Sequence, residues 1–364
     1  MKPLTIVHVS TQREFSGGEE QARLLADGLR QRGHCSVILA RRTGAFARRM
    51  TAEGFDVLPI RGSGRLPSAI WQMRRELRQV GPHVVHCHDP HAVTSGGLAA
   101  SIASVRARVA SRKVVFPIRS AWRYRLFVDH VIATSGAVAA VCQAGGIEGE
   151  KITCVYDGVN PDRARSGSRA RGRASLGIQP DQQLLLAVGS LSDCKGHKYL
   201  LDALPSVLAS FPRAVLALAG DGELRARLQQ QAERLGISGS VMFLGYRNNV
   251  PDLLKAADLM VLPSHTEALC SSLIDAMFAR TPIVATTAGG IPEVLGSRGG
   301  QAPVGLLVPP RNAPALAGAI LSGLADGTRL ADVVDRAEVR ALQLFTADRM
   351  VDETLAVYRK LLAA

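Results

Sequence analysis

Short apolar runs alternate with amphipathic stretches of helix length along this chain, and the alternation occurs twice. In the first half the runs at 4–9, 37–40, 57–60, 83–87 and 130–133 are separated by stretches such as 18–32 and 66–80. Runs of this kind read as strands, and strands that alternate with helices predict a parallel sheet covered on both faces. After Asp157-Gly158-Val159-Asn160-Pro161 the composition breaks: residues 162–172 are Arg, Ser and Gly with almost nothing apolar. That stretch reads as the start of a linker. The alternation then restarts at 183–188, 214–219, 241–244, 259–262 and 282–285, and it ends in a helical stretch at 348–362 with no strand after it. A length of 364 residues fits two domains of about 180 residues each. The expected division is an α/β domain over 1–162, a basic linker over 163–180, a second α/β domain over 181–345 and a terminal helix over 346–364.

Within the second half, one segment carries chemistry. Pro263-Ser264-His265-Thr266-Glu267-Ala268-Leu269-Cys270-Ser271-Ser272-Leu273-Ile274-Asp275 follows the apolar run at 259–262, and Thr281-Pro282-Ile283-Val284 and Gly289-Gly290-Ile291-Pro292-Glu293 come after it. Glu267 is expected in the loop at the carboxyl end of a strand, where open α/β sheets bind ligands. The helix that follows should present unpaired N–H groups and a positive dipole end, a site for a diphosphate. Eight positions separate Glu267 from Asp275, a spacing that suits two polar ends of one ligand: a sugar on one side of a diphosphate and a ribose on the other. Ser272-Leu273-Ile274-Asp275 also matches a capping box, in which the acid would only close the helix end.

The two acids resemble the glutamate, seven residues, acid signature of retaining GT-B glycosyltransferases of family 4, and the resemblance extends over nearly the whole chain. Ile6-Val7-His8-Val9-Ser10, Ser16-Gly17-Gly18-Glu19 and Gly33-His34-Cys35-Ser36-Val37 look like that family's first strand, glycine loop and second strand. Val84-Val85-His86-Cys87-His88-Asp89 is similar to its fourth. Val188-Gly189-Ser190 with Lys195-Gly196-His197 resembles the segment that grips the diphosphate, and Phe243-Leu244-Gly245-Tyr246 the segment beside the nucleobase. There are three departures. Ser190 stands where the family often has Arg, Asp275 where it often has Glu, and Ser111-Arg112-Lys113 where many members carry a His.

The resemblance implies a GT-B architecture of two Rossmann-like domains facing across a cleft, and transfer of a sugar from a nucleotide-sugar donor with retention. Glu267 and Lys195 are the expected catalytic residues. Gly17, Gly18, Ser190, Tyr246, Leu269, Cys270, Ser271, Ser272 and Asp275 are expected on the donor, and His88, Asp89, Arg112 and Lys113 on the acceptor side. Lys195 and the helix start would do the work of a metal, no Asp-x-Asp motif occurs, and no metal or cofactor is expected. His86 and His88 form a His-x-His pair with no third ligand in view, which favours acceptor binding or packing over a metal. Two other readings are a nucleotide-sugar epimerase of the same fold and a non-catalytic sugar-nucleotide binder. The missing Gly-x-Gly-x-x-Gly fingerprint argues against a nicotinamide dehydrogenase.

Charge bears on the acceptor. The net +13 is uneven: residues 1–180 hold 27 Lys and Arg against 13 Asp and Glu, and residues 181–364 hold 17 against 18. A field of this kind attracts phosphates and anionic headgroups. Nucleic acid is not expected, because aromatic residues are 4% of the chain and none interleaves the arginines as a stacking motif. No apolar stretch reaches the eighteen or so residues of a membrane helix. A cytoplasmic protein is expected, peripheral on the inner membrane face, with a lipid-linked or lipopolysaccharide-type glycan as acceptor. The six cysteines form no Cys-x-x-Cys pair and read as buried free thiols.

Overall fold

The computed structural model describes residues 2–61, 66–297, 302–325 and 327–363. The chain divides into two compact units, 1–158 with 347–364, and 159–346. The first unit runs β1 (Thr5–Ser10), α1 (Gly17–Gln31), β2 (Cys35–Arg41), α2 (Ala45–Ala52), β3 (Asp56–Ile60), α3 (Pro67–Val80), β4 (Val84–Cys87), α4 (Pro90–Ile102), β5 (Ala107–Arg112), α5 (Ala121–Phe127), β6 (His130–Ala133), α6 (Gly136–Ala144) and β7 (Ile152–Cys154). Its seven strands are parallel, in the order β3-β2-β1-β4-β5-β6-β7.

The second unit begins with α7 (Pro161–Arg165) and α8 (Arg169–Leu176). It continues as β8 (Leu184–Val188), α9 (His197–Ser210), β9 (Val215–Ala219), α10 (Arg225–Arg234), β10 (Val241–Gly245), α11 (Val250–Ala256), β11 (Leu259–Leu262), α12 (Ser271–Ala279), β12 (Ile283–Thr286), α13 (Ile291–Val294), β13 (Leu306–Val308), α14 (Ala313–Ala325) and α15 (Gly327–Leu344). Its six strands are also parallel, ordered β10-β9-β8-β11-β12-β13. In both sheets the order reverses beside the first strand, so β1/β4 and β8/β11 flank the switch points at which such sheets bind ligands. The last helix, α16 (Ala347–Ala363), belongs to the first unit: Met350, Val351, Leu355 and Tyr358 pack with Leu25 and Leu29 of α1 over Ile6, Val84 and Val109. On the opposite face α4 lies between α3 and α5, and a Cβ on its Gly96 would come within 2.9 Å of Val9.

Three strands escape the sequence alternation. Arg108 and Arg112 interrupt the apolar pattern of β5, and β7 and β13 are three residues each. The basic stretch 163–180 is not an extended linker. It contains α8, whose Gly172 has no room for a side chain because a Cβ there would lie 2.2 Å from the Asp252 carbonyl oxygen of α11. Its arginines pair with acids of the second unit: Arg169 with Asp258 at 2.6 Å and Arg171 with Asp252 at 2.8 Å. Glycine and arginine read as linker composition here, but they serve close packing and ion pairing. All six thiols are free; Cys87, Cys142 and Cys270 are buried, whereas Cys35 and Cys154 are exposed.

Candidate active site

The second unit brings Lys195 and Glu267 together at the carboxyl edge of its sheet. Lys195 Nζ donates to Glu267 Oε2 at 2.6 Å, and the two side chains are 19% and 11% exposed. Lys195 ends a short 3-10 turn (Asp193–Lys195) just ahead of α9, and its aliphatic stem lies 3.6 Å from where Gly189 would carry a Cβ. Burial works against its charge, but the neighbouring Cys270 and Glu267 more than offset that, and its pKa stands above the ordinary lysine value. The half-buried ammonium is therefore held charged, the state in which it can meet a diphosphate.

Glycines stitch the two loops that carry this pair. Gly196 adopts φ +68°, and a Cβ there would lie 2.2 Å from the Pro263 carbonyl oxygen. The backbone N–H of His265 donates to the Cys194 carbonyl at 2.9 Å, and the His265 ring meets Asp193 at 3.1 Å. On the other side Gly289, at φ +53°, would put a Cβ 1.8 Å from the Glu267 carbonyl oxygen, which also accepts from the Gly290 N–H at 3.2 Å. Ser264 Oγ donates to Glu267 Oε2 at 3.3 Å. Only glycine fits these close approaches without strain. The neutral His197 ring, its pKa lowered to about 4 by burial, meets the Ser190 carbonyl at 3.2 Å behind Lys195.

The helix beyond starts earlier than the sequence suggests. Its N-cap is Cys270, in the left-handed region at φ +81°, and makes no side-chain cap bond. Asp275 therefore lies in the second turn rather than the first, and no capping box forms between Ser272 and Asp275. Ser272 Oγ instead donates to the Val188 carbonyl at the end of β8, at 3.3 Å, and meets Cys270 Sγ at 3.1 Å. Cys270 thus neighbours the pair and Ser272 touches Cys270, while Ser190 follows Gly189 after β8 and Ser271 opens α12; the Leu269 side chain is buried and only its backbone is available. Tyr246, 81% exposed, follows β10, two strands away from β8.

In the first unit Gly17 opens α1 behind a capping box: the Gly18 N–H donates to Ser16 Oγ, and the Ser16 N–H to Glu19 Oε2. Lys113 passes within 3.8 Å of a Cβ on Gly18 and pairs with Asp157 at 2.7 Å. Arg112 is buried, donates from Nη2 to the Phe116 carbonyl at 2.5 Å, and its Nε has no partner among the described residues. Asp89 is occupied. Its oxygens take the N–H groups of His91 and Ala92 at the start of α4 and both the N–H and Oγ1 of Thr11.

His86 and His88 have a third imidazole beside them, contrary to the sequence reading. Parallel pairing sets His8 of β1 opposite His86 of β4, and His8 Nδ1 meets His88 Nε2 at 3.0 Å. One nitrogen from each ring lies within 4.8 Å of the others. Both nitrogens of His86 are engaged, one with Tyr358 Oη at 2.5 Å and one with Ser111 Oγ at 2.7 Å. Burial lowers the pKa of all three, that of His8 to about 3, so the cluster is neutral.

Two family profiles match the chain in tandem: "Glycosyltransferase Family 4" over residues 15–163 and "Glycosyl transferases group 1" over residues 168–340. The chain belongs to these glycosyltransferases. An uncharacterized glycosyltransferase of Methanocaldococcus jannaschii, MJ1607, is 31% identical over 225 residues, which are 60% of this chain and 56% of that protein. The chain spans about half the length of the curated relatives it matches. Among solved structures, Anabaena Alr3699/HepE in complex with UDP and glucose is 22% identical with a TM-score of 0.85, covering 98% of this chain and 100% of its own. WaaG, a glycosyltransferase involved in lipopolysaccharide biosynthesis, is 17% identical with a TM-score of 0.72, covering 97% of this chain and 99% of its own. These likenesses establish the GT-B fold.

Sequence reading of this glycosyltransferase missed His8, His265 and Ser264. The strand order 2-1-4 common in doubly wound sheets would have put His8 next to His86. For His265 and Ser264 the only signal was their place in the Glu267 loop.

Proposed function

We propose that this chain transfers a glycosyl group from a nucleotide-sugar donor to a glycan or lipid-linked acceptor of the cell envelope, with retention and without a metal cofactor. The observation that carries the reading is the Lys195–Glu267 pair, held at 2.6 Å at the sheet's switch point and beside the start of α12. An arriving diphosphate competes for the Lys195 ammonium and frees Glu267 to accept hydrogen bonds from the sugar. As the bond to the leaving diphosphate breaks, negative charge grows where Lys195 and the α12 dipole already point, and that is transition-state stabilisation rather than uniform binding. Asp275 holds the ribose, and the exposed Tyr246 ring lies to the nucleobase side. HepE, with its UDP and glucose, supports the donor class. WaaG and the basic first half support an envelope glycan acceptor reached at the cytoplasmic membrane face.

Thermal shift with a panel of UDP-, GDP- and ADP-sugars tests the donor, since a ligand at a hundredfold excess over its Kd adds about 2.7 kcal/mol to the folded state. Glu267→Ala should cost about 10²–10³-fold in kcat with the fold intact. Lys195→Ala should lower kcat more than it raises the donor KM, and Asp275→Asn should mainly weaken donor binding. Chelating agents should leave turnover unchanged. No melting shift with any sugar nucleotide, or wild-type turnover in Glu267→Ala and Lys195→Ala, would refute the assignment. Conversion of the donor to its epimer with no acceptor present, or its cleavage by water to nucleoside diphosphate and the free epimeric sugar, would move it to an epimerase.

A further inference from the structure

Two side-chain bonds join the loop that carries Lys195 to the loop that carries Glu267. One is the Lys195–Glu267 ion pair itself. The other lies two residues ahead of each partner, where His265 Nε2 meets Asp193 Oδ2 at 3.1 Å. Asp193 opens the 3-10 turn that Lys195 ends, and His265 is the third residue beyond β11. Between them the Cys194 carbonyl accepts the N–H groups of His265 at 2.9 Å and Thr266 at 3.3 Å, so side-chain and backbone bonds close one bridge between the loops.

The geometry of that bridge is defined. The His265 side chain is 6% exposed and packs edge-on to Tyr199 of α9, with ring centroids 6.4 Å apart and planes at 82°. Its Nδ1 meets Thr266 Oγ1 at 3.1 Å and Arg311 Nη2 at 3.3 Å. A guanidinium can only donate. Nδ1 is therefore the acceptor, and Nε2 carries the hydrogen that goes to Asp193. Lys198 lies 3.2 Å from the other Asp193 oxygen, and its hydrogen bond and charge, followed by those of His265, hold that carboxyl below the ordinary aspartate range.

A donor acts differently on the two bonds. Its diphosphate competes for the Lys195 ammonium, but a carboxylate and a ring whose hydrogen already belongs to that carboxylate offer an anion nothing. The ion pair is then lost when the reaction needs both of its side chains in place, and misplacement by about an ångström is enough to cost roughly 10²-fold in rate. We propose that Asp193 and His265 are positioning residues, whose bond keeps Lys195 and Glu267 in register once the donor has parted them. This role rests on the glycosyltransferase reading of the Lys195–Glu267 site and concerns that site in its loaded state.

A bond to a carboxylate as exposed as Asp193, at 64%, adds little to the stability of the empty protein, so the loss should show in the loaded one. In the full chain, hydrogen exchange at the backbone amides of residues 265 and 266 is followed with and without the nucleoside diphosphate, among UDP, GDP and ADP, that raises the melting temperature most. His265→Ala should leave these amides within about twofold of wild type in the empty protein and speed them about tenfold in the loaded one. His265→Gln, whose amide nitrogen can replace Nε2, should restore most of the protection. In turnover of the matching sugar nucleotide, Asp193→Ala and His265→Ala should each lower kcat about tenfold with the donor KM little changed, and the double variant should fall no further than either single one. Equal acceleration of exchange in the empty and loaded protein overturns the proposal, because it marks a purely structural contact. Unchanged exchange in the loaded alanine variant, a glutamine variant no better than alanine, or kcat losses that multiply would overturn it too. If Lys195→Ala and Glu267→Ala impair transfer while His265→Ala does not, this inference fails alone. If no nucleoside diphosphate binds the wild type, the catalytic reading itself fails.

Discussion

The two units share one architecture and use it differently. Each has a parallel sheet with its switch point beside the first strand. In the second unit that point is made of backbone: Gly196 and Gly289 sit where any side chain would strike a carbonyl, and the two loops they close hold one ion pair. In the first unit it is made of side chains: three neutral imidazoles, an arginine whose Nε has no partner among the described residues, and a lysine beside the glycine loop. Tight backbone suits a ligand of fixed geometry such as a diphosphate. Side chains on strand ends suit a ligand whose chemistry can vary, because they change without disturbing the fold.

The comparison breaks most visibly at Gly289. Alanine there must adopt φ +53° and move the Glu267 carbonyl from 1.8 Å, which should cost about 2–4 kcal/mol. Glu267 should shift with its backbone, so transfer should fall further than stability explains. A Gly289→Ala variant with wild-type melting and turnover would mean that the second site is not built on backbone.

Acid should separate the units next. Burial is the largest cause that lowers the pKa of His8, His86 and His88; for His86 and His88 the other imidazoles and then Lys113 add to it. Each ring is neutral when folded and takes a proton when unfolded, so the unfolded state binds more protons below pH 6.5 and stability falls as pH falls. For His8 the loss runs from about 6.5 down to about 3, at about 1.4 kcal/mol per pH unit. The second unit has one such group, His197, near 4. Hydrogen exchange followed against pH should therefore show protection lost first in β1, β4 and α16, where Tyr358 bonds His86, while β8 and β11 hold. Simultaneous loss in both units would remove the imidazole cluster as the cause.

What the sequence made legible follows from these two building styles. Local motifs single out Glu267 and Lys195 in the sequence, and their loops follow strands with unbroken apolar runs. Their direct contact was not readable, since it depends on Gly196 and Gly289 closing loops that are 72 residues apart at the paired side chains. His8 was missed because strand pairing sets it opposite His86 and a ring-to-ring hydrogen bond joins it to His88 across 80 residues. Asp275 was set one turn too early because Ser272 imitates an N-cap, while the real cap, Cys270, has a left-handed backbone that no composition rule favours. Stretch 163–180 was read as linker because ion pairs with Asp252 and Asp258 are invisible in a local window.

The smallest expected effect is the sharpest test of the first unit. Gly17 has no positive φ, and a Cβ built on it meets nothing within 4 Å. It is the first residue of α1, where alanine is a better helix former than glycine. Gly17→Ala should therefore leave stability within about 0.5 kcal/mol of wild type, unlike Gly289→Ala in the other unit. The fold gives no reason for glycine there, and the remaining reason is close approach of a ligand to the backbone beside Lys113. If Gly17 makes that contact, the methyl group should raise the KM for acceptor or donor with melting unchanged, and Gly17→Val should raise it further. Unchanged kinetics in both variants would leave the glycine loop as an ordinary strand-to-helix turn, and the ligand contacts of the first unit would then belong to its side chains alone.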